Sequence, residues 1–534
     1  MTMKFPNSLL ALLILSILSS LSVSWATSEP VTINGFLQCL PKQFHSGRPI
    51  LEAVYTPQNT SFRSVLMAHI KNRRFSSPTT PKPLAIVAAK HESHVQAATI
   101  VCAKQHGLQI RIRSGGHDYE GLSYVSPVPF VVLDMFHFQS VDVNVKDESA
   151  WVESGATLGK IYYKIAEKTK VHGFPAGVCP TVGAGGHFSG GGYGNLMRKY
   201  GLSIDNIVDA KLVDANGRIL DRKSMGEDIF WALRGGGGAS FGVILSWKLK
   251  LVRVPEKVTV FNVTRTLEQG VTDVLYKWQF VAPVLPKDLF LRARPEIENN
   301  TEGKKTAEVS FIGHFLGQTD KLLPLMNERF PELGLRRKDC HEVSWIESVV
   351  FWDEFPLGTP TTILLNQTGT PIPFFKAKSD YVKKPIPKKV IEYMFKAMLE
   401  IGNIWTEWNP LGGRMSEISA SATPYPHRAG NLYMIQYYTS WYQDEGFEAT
   451  NRYIHLTRKL YEKMAPFVSR NPREAFQNYR DLDIGANLYN QSNLLTARVY
   501  GSKYFKGNFE RLVRVKTVVD PHNFFKHEQS IPPI

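Results

Sequence analysis

Two glycine-rich stretches decide how this chain is read: Arg111-Ile-Arg-Ser-Gly-Gly-His117-Asp-Tyr119 and Gly177-Val-Cys179-Pro-Thr-Val-Gly-Ala-Gly-Gly-His187. Each sets one nucleophilic side chain, His117 or Cys179, in a run too rich in glycine to be ordinary core. Glycine lets the backbone approach a ligand closely, and successive backbone N–H groups in such a loop suit a phosphate. A histidine in one loop and a cysteine in the other are placed to bond to one bound molecule.

Outward from these loops the pattern is mixed. Residues 84–89 are apolar throughout and read as a buried strand. Residues 91–106 carry apolar positions at helical spacing and stop at Gly107. Residues 108–113 alternate and run straight into the first loop. Further strands are expected at 130–135 and 149–154, and a helix at 157–169. The residues before them, 31–72, read as a helical, polar opening. A second glycine block, residues 189–194, extends the cysteine loop, and a third, residues 234–242, precedes a strand-like stretch at 243–252. No Gly-x-Gly-x-x-Gly and no Walker-type lysine loop occurs, so the Rossmann and nucleoside-triphosphatase readings lack their signature.

At 534 residues the chain exceeds one core. Composition shifts near Pro255, beyond which glycine clusters nearly vanish. The expected organisation is a leader at 1–26, a helical segment at 27–75, a ligand-binding domain at 76–254 and a substrate domain at 255–476. A C-terminal segment, 477–534, returns to the first domain. The fold class is α+β.

Residues 1–26 read as a secretory signal: Lys4, an apolar run at 9–21, and a small-x-small site at Ser24-Trp25-Ala26. Five sequons, at Asn59, Asn262, Asn299, Asn366 and Asn490, suit a glycosylated extracellular protein. A net charge of +15 raises nucleic acid as a partner, but for a secreted chain an anionic wall polysaccharide is the expected one. The densest basic run, residues 376–389, reads either as that surface or as a plain solvated face. No membrane span is expected.

In an oxidising compartment any of Cys39, Cys102, Cys179 and Cys340 is free to pair. For Cys179 a disulfide and a reactive thiolate among backbone donors are both open. His117 reads as a loop histidine or a ligand, and His187 as a competing nucleophile. His91-Glu92-Ser93-His94 matches no metal-binding spacing, so no metal is expected.

The strings RIRSGGHDYEGLSY, GVCPTVGAGGHFSGGGYG, ALRGGGGASFGV, PYPHRAG, NYRDLDIG and DPHNFFKHEQSIPP, in this order, resemble the berberine bridge enzyme-like flavoproteins of plants. The resemblance spans residues 39–534 and implies the two-domain PCMH-type FAD fold of the vanillyl-alcohol-oxidase superfamily. It has a discontinuous FAD domain and an α/β substrate domain. It implies FAD held covalently by His117 and Cys179, which tends to raise the flavin potential. Arg113, Ser114, Gly115 and Gly116, with Thr181, Val182, Gly183, Gly185 and Gly186, correspond to its binding loops. Gly192 and Gly238 correspond to further cofactor positions, and Cys39 and Cys102 to a disulfide that leaves Cys340 free.

Tyr479 matches the tyrosine that acts as base in similar oxidases, and Tyr119, Tyr193 and Gln436 match residues of the substrate pocket. With an ordinary pKa near 10, such a base needs a nearby cation or strong hydrogen bonds. Val182 resembles the small residue that leaves room for dioxygen. The chain departs from monolignol-oxidising members, with Met434 in place of a lysine and Gln477 in place of a tyrosine. The expectation is an oxidase of the anomeric hydroxyl of oligosaccharides that yields hydrogen peroxide. A monolignol or alkaloid-type oxidase and a vestigial wall protein are the alternatives. Trp405, Trp408, Tyr433 and Tyr437 read as sugar-stacking rings or as core.

Overall fold

The computed structural model describes residues 33–43, 49–299, 302–367, 371–487 and 493–534. The expected leader, 1–26, and Asn490 lie outside them. The apolar run at 84–89 forms the strand Ala85–Ala88, buried at all four positions. It lies parallel to Phe130–Asp134, whose other edge pairs in parallel with Gln109–Arg113. The helical crossover between Glu92 and Gln105 is closed by Gly107, whose φ of 65° favours glycine. Strands this apolar require cover on both faces. Part of it comes from the helix Ile33–Lys42, tied to the crossover by the Cys39–Cys102 disulfide. Cys179 and Cys340 are free.

A five-stranded antiparallel sheet follows, ordered Val141–Asn144, Ser149–Glu153, Val243–Lys250, Ile207–Val213 and Ile219–Leu220. Its hydrophobic core includes Val152, Leu212 and Trp247, together with Ile161 of the helix Leu158–Lys168. Ala497, Tyr500 and Leu512, from the helices Leu494–Phe505 and Phe509–Val519, join the same core. The chain's last helices therefore pack on its first half.

The middle of the chain forms a seven-stranded sheet, all of whose pairings are antiparallel. Its order is Cys340–Val343, Val258–Thr266, Lys305–Phe315, Leu289–Asn299, Ile404–Pro410, Tyr433–Trp441 and Phe374–Val382. The helices Val271–Val281, Thr319–Arg329, Lys388–Ile401 and Gly446–Met464 contribute Trp278, Leu322, Met394 and Leu460 to its core.

Two expectations need correction. The opening stretch is not continuously helical: beyond the helix Ile33–Lys42 come the strand Val54–Tyr55 and the helix Phe62–Ala68. Nor is the basic run a solvated face throughout. Lys376 and Lys378 lie on the strand Phe374–Val382, buried at every position, because carboxylates there neutralise them. Exposure within the run is confined to Lys383, Lys384, Lys388 and Lys389 and to Pro387 between them. Asn59, Asn262, Asn299 and Asn366 are exposed.

Candidate active site

The two glycine loops meet backbone to backbone. A Cβ on Gly115 would stand 2.4 Å from the Gly183 nitrogen, and one on Gly183 would stand 2.3 Å from the Gly115 nitrogen. Only glycine at both positions allows this approach. Gly116 adopts φ 72° and abuts the carbonyl of His69. The paired loops border one cavity of about 370 Å³, lined also by Gly237, Gly238, Gln436 and Tyr479. A cavity bordered by so many glycines leaves bare backbone to face a dinucleotide, and the residues present fit FAD.

His117 and Cys179 both open into this cavity. The His117 Nε2 is hydrogen-bonded to the Thr181 hydroxyl at 3.0 Å. Burial, with Lys71 next in weight, lowers its pKa to about 3, so the ring is neutral. Cys179 is exposed to the cavity, yet burial, then Asp353 and Glu407, push its thiol up to about 12. Of the two readings left open for Cys179, the disulfide is corrected, since the thiol is free, and burial and the carboxylates hold it protonated. His187 is an anchor rather than a rival nucleophile. Burial lowers its pKa to about 4, and its Nε2 accepts a hydrogen bond from the Gly177 N–H at 3.0 Å.

Of the expected cofactor residues, Ser114, Gly115, Gly116, Val182, Gly183, Gly185, Gly186 and Gly238 line the cavity. Arg113 does not. Its side chain is wholly buried, donating to Asp134 and to the carbonyls of Val65 and Leu66. Gly192 also stands back, packed against Ser203 and His187, and Thr181 acts through His117.

Tyr119, Tyr193, Gln436 and Tyr479 line the same cavity. Gln436 Nε2 donates to the Tyr119 hydroxyl at 2.8 Å, and the Tyr193 and Tyr479 hydroxyls hydrogen-bond to each other. The Tyr193 hydroxyl also donates to Glu407 Oε2 at 3.3 Å and accepts from Asn409 Nδ2 at 3.2 Å. Glu407 in turn pairs with Arg292 at 2.9 Å. Burial raises the pKa of Tyr479 well above its usual value, and Tyr193 and Glu407 raise it further. Glu407 and the two tyrosines raise the Arg292 pKa, outweighing the opposing effect of burial.

Sequence reading missed Arg292 and Glu407. Their signal is a charged residue within an otherwise apolar or aromatic strand, Leu-Phe-Leu-Arg292-Ala and Ile-Trp-Thr-Glu407-Trp. Strand register, with Ala293 opposite Trp408, makes them neighbours. Trp405 lines the cavity, whereas Trp408, Tyr433 and Tyr437 are fully buried in the core beneath the helices and do not line it. Gln477 borders the cavity; Met434 packs in the apolar cluster that includes Tyr479.

A family profile described as "FAD binding domain" matches residues 83–222, and one described as "Berberine and berberine like" matches 475–532. The chain is 55% identical to berberine bridge enzyme-like 7 of Arabidopsis thaliana, over 100% of this chain and 99% of that protein. It superposes on the structure of BBE-like #28 from Arabidopsis thaliana with a TM-score of 0.88 and 45% identity, covering 94% and 100% of the two chains. Phl p 4, a grass pollen allergen, superposes equally well. Its wild-type form, a glucose dehydrogenase, gives a TM-score of 0.88 at 43% identity over 93% and 99% of the chains. An isoleucine-to-valine variant, a glucose oxidase, gives 0.88 at 44% over the same shares.

Proposed function

The chain belongs to the berberine bridge enzyme-like family of FAD-dependent oxidoreductases, and on that premise we propose that it is a secreted oxidase of carbohydrate hydroxyls. The favoured substrate is the anomeric hydroxyl of a cell-wall oligosaccharide, and dioxygen is the acceptor. The alcohol loses a hydride and a proton to become a lactone, and dioxygen gains two electrons and two protons to become hydrogen peroxide. FAD, when bound, supplies the hydride acceptor.

His117 and Cys179 are the residues that attach the cofactor, one from each glycine loop. A neutral imidazole is nucleophilic as it stands, whereas Cys179 must first lose its proton. Tyr479 takes the proton of the substrate hydroxyl, its own oxygen held in place by the hydrogen bond to Tyr193. Glu407 accepts from Tyr193, and Arg292 holds Glu407 and provides the positive charge that Met434 does not. Gln436 and Tyr119 orient the substrate, and Trp405 offers a ring at the cavity wall for a sugar face. Val182 leaves room beside the loops for dioxygen. The single observation that carries this reading is the hydrogen-bonded chain Tyr479–Tyr193–Glu407–Arg292, which opens into the same cavity as His117 and Cys179.

The glucose activities of Phl p 4 support a sugar substrate, and the contrast between its dehydrogenase and its valine-bearing oxidase supports dioxygen as the acceptor. Exposed sequons and a net charge of +15 suit a glycoprotein of an anionic wall. The test is anaerobic flavin bleaching and aerobic oxygen uptake with glucose, cello-oligomers, galacturonide oligomers and coniferyl alcohol. Turnover of the saccharides with peroxide release is expected. Turnover of coniferyl alcohol alone makes it a monolignol oxidase, and inertness of a flavin-loaded protein towards all four favours an alkaloid-type substrate or the wall-protein reading.

A further inference from the structure

The rings of Tyr119 and Tyr479 stack on each other, and each is followed within two residues by a buried carboxylate that nothing in the oxidation scheme uses. Glu120 follows Tyr119, and Asp481 stands two places beyond Tyr479; they are 6% and 2% exposed. Both bind Lys376. The Lys376 Nζ donates to Glu120 and, at 2.8 Å, to Asp481 Oδ1. Lys378, on the same face of the strand Phe374–Val382, donates to the other oxygen of Asp481 and, at 2.9 Å, to Asp483. Arg458, from the helix Gly446–Met464, caps Asp483 at 2.6 Å, and Arg74 stands 3.7 Å from Glu120. The core of the cluster is thus three cations against three carboxylates. Burial works against the charge on Lys376; Glu120, Asp481 and Asp483 outweigh it and raise its pKa.

Further bonds join the same segments. Asn72 Nδ2 donates both to the Tyr119 carbonyl, at 3.0 Å, and to the Phe375 carbonyl, at 3.1 Å. Arg480 Nε donates to Asp118 Oδ2 at 2.8 Å. Charges this deep are poor stabilisers, since apolar residues of equal volume serve as well. What a closed set of charges imposes is geometry, because each partner is satisfied in one place only.

We propose that Lys376 is a positioning residue for the active site. It latches the loop carrying Tyr119 and the loop carrying Tyr479 to one strand of the large sheet, so that the two rings hold their stack only while all three segments are joined. Lys376 touches no reacting atom. It acts through Glu120 on Tyr119 and through Asp481 on Tyr479. The inference rests on the catalytic reading of those tyrosines for its consequence, but not for its mechanics.

Amide hydrogen exchange on the flavin-loaded, full-length protein tests it without any substrate. In the wild type, residues 117–122 and 478–484 are expected to exchange as one unit, with the same dependence on low denaturant. Lys376→Met is expected to speed exchange in both segments together by about tenfold or more, while the strand Phe374–Val382 stays protected. The double variant Lys376→Met, Glu120→Gln restores the charge balance and is expected to do the same, which guards against misfolding from an orphaned carboxylate. Anaerobic reduction by glucose is expected to slow about tenfold in both, with covalent flavin content unchanged. Different denaturant dependence of the two wild-type segments overturns the latch. So does faster exchange of the strand with the loops unmoved, or of one loop alone. If exchange behaves as expected but no substrate reduces the wild type, the latch stands and the oxidase reading fails.

Discussion

The rings of Tyr119 and Tyr479 lie 12° from parallel with their centroids 5.5 Å apart. They come from opposite ends of the chain, and each is bonded through its hydroxyl to a different partner: Gln436 for Tyr119, Tyr193 for Tyr479. One ring therefore faces a neutral amide, whereas the other leads into the chain of bonds that ends at Glu407 and Arg292. The stack contributes about 1 kcal/mol. In the proposed mechanism the base is Tyr479, the ring whose hydroxyl bonds onward to Tyr193.

Tyr479→Phe removes the base and keeps the stack. Anaerobic flavin reduction by an active saccharide is expected to fall by about 10²-fold or more. Tyr119→Phe loses only the bond from Gln436 and is expected to cost about tenfold, mainly through KM. Equal losses in the two variants would remove the assignment of Tyr479 as base.

Val182 borders the cavity and packs against the core around the cysteine loop. Val182→Leu adds one methylene there. Reoxidation of reduced enzyme by dioxygen is expected to slow by about tenfold or more, while reduction by saccharide changes less than about threefold. Stopped-flow traces of the two half-reactions separate these effects. Unchanged reoxidation would mean that Val182 is a packing residue only.

The glycine loops were legible because close backbone approach leaves a compositional trace, and the strand at 84–89 because a buried parallel strand is apolar throughout. The charge pattern was misleading. Lys376 and Lys378 read as surface because a lysine's burial depends on partners far along the chain, here Glu120 and Asp481. Arg292 and Glu407 were missed for the same reason: their meaning is set by the pairing of two strands. Arg113, in the middle of a recognised string, turns away from the cavity, since alternation along Gln109–Arg113 carries its side chain to Asp134. A string fixes where a residue stands in the family pattern, while the direction of its side chain follows from the strand.

Attachment of the cofactor by both His117 and Cys179 predicts that acid-precipitated protein is yellow and yields one flavin adduct joining two peptides. Cys179→Ala is expected to keep a single tether through His117 and to lower the flavin potential; His117→Ala is expected to keep the one through Cys179. The double variant is expected to release all flavin on denaturation. Mass spectrometry of the pellet and supernatant reads each case, and a colourless wild-type pellet would exclude covalent attachment.

His314 gives a pH dependence of stability with a definite sign. It is 1% exposed in the large sheet, and burial lowers its pKa to about 3. Below about 6.5 the unfolded chain takes up a proton there and the folded protein does not, so stability falls as pH falls, at up to about 1.4 kcal/mol per unit. His314→Leu removes this contribution and leaves Ser348 its bond to the Trp345 carbonyl. Denaturant midpoints at pH 7, 6, 5 and 4 are expected to show the variant gaining on the wild type steadily towards acid. A constant difference would mean that His314 takes no part in the acid loss.

Arg292 and Glu407 act on the base with opposite signs. Glu407 raises the pKa of Tyr479, and the reciprocal attraction between Arg292 and Tyr479 lowers it. Glu407→Gln removes a negative charge while keeping an amide oxygen to accept from Arg292 and an amide N–H to donate to the Tyr193 oxygen. The alkaline rise of kcat/KM is therefore expected to move towards neutral pH. Arg292→Met removes the cation and is expected to move the rise the other way, with a loss at pH 7 of about tenfold or more. If Glu407 were itself the base, Glu407→Gln would abolish the rate at every pH instead of shifting the profile. The displacement of the profile, and not the size of the loss, distinguishes a tyrosine tuned by two charges from a carboxylate acting alone.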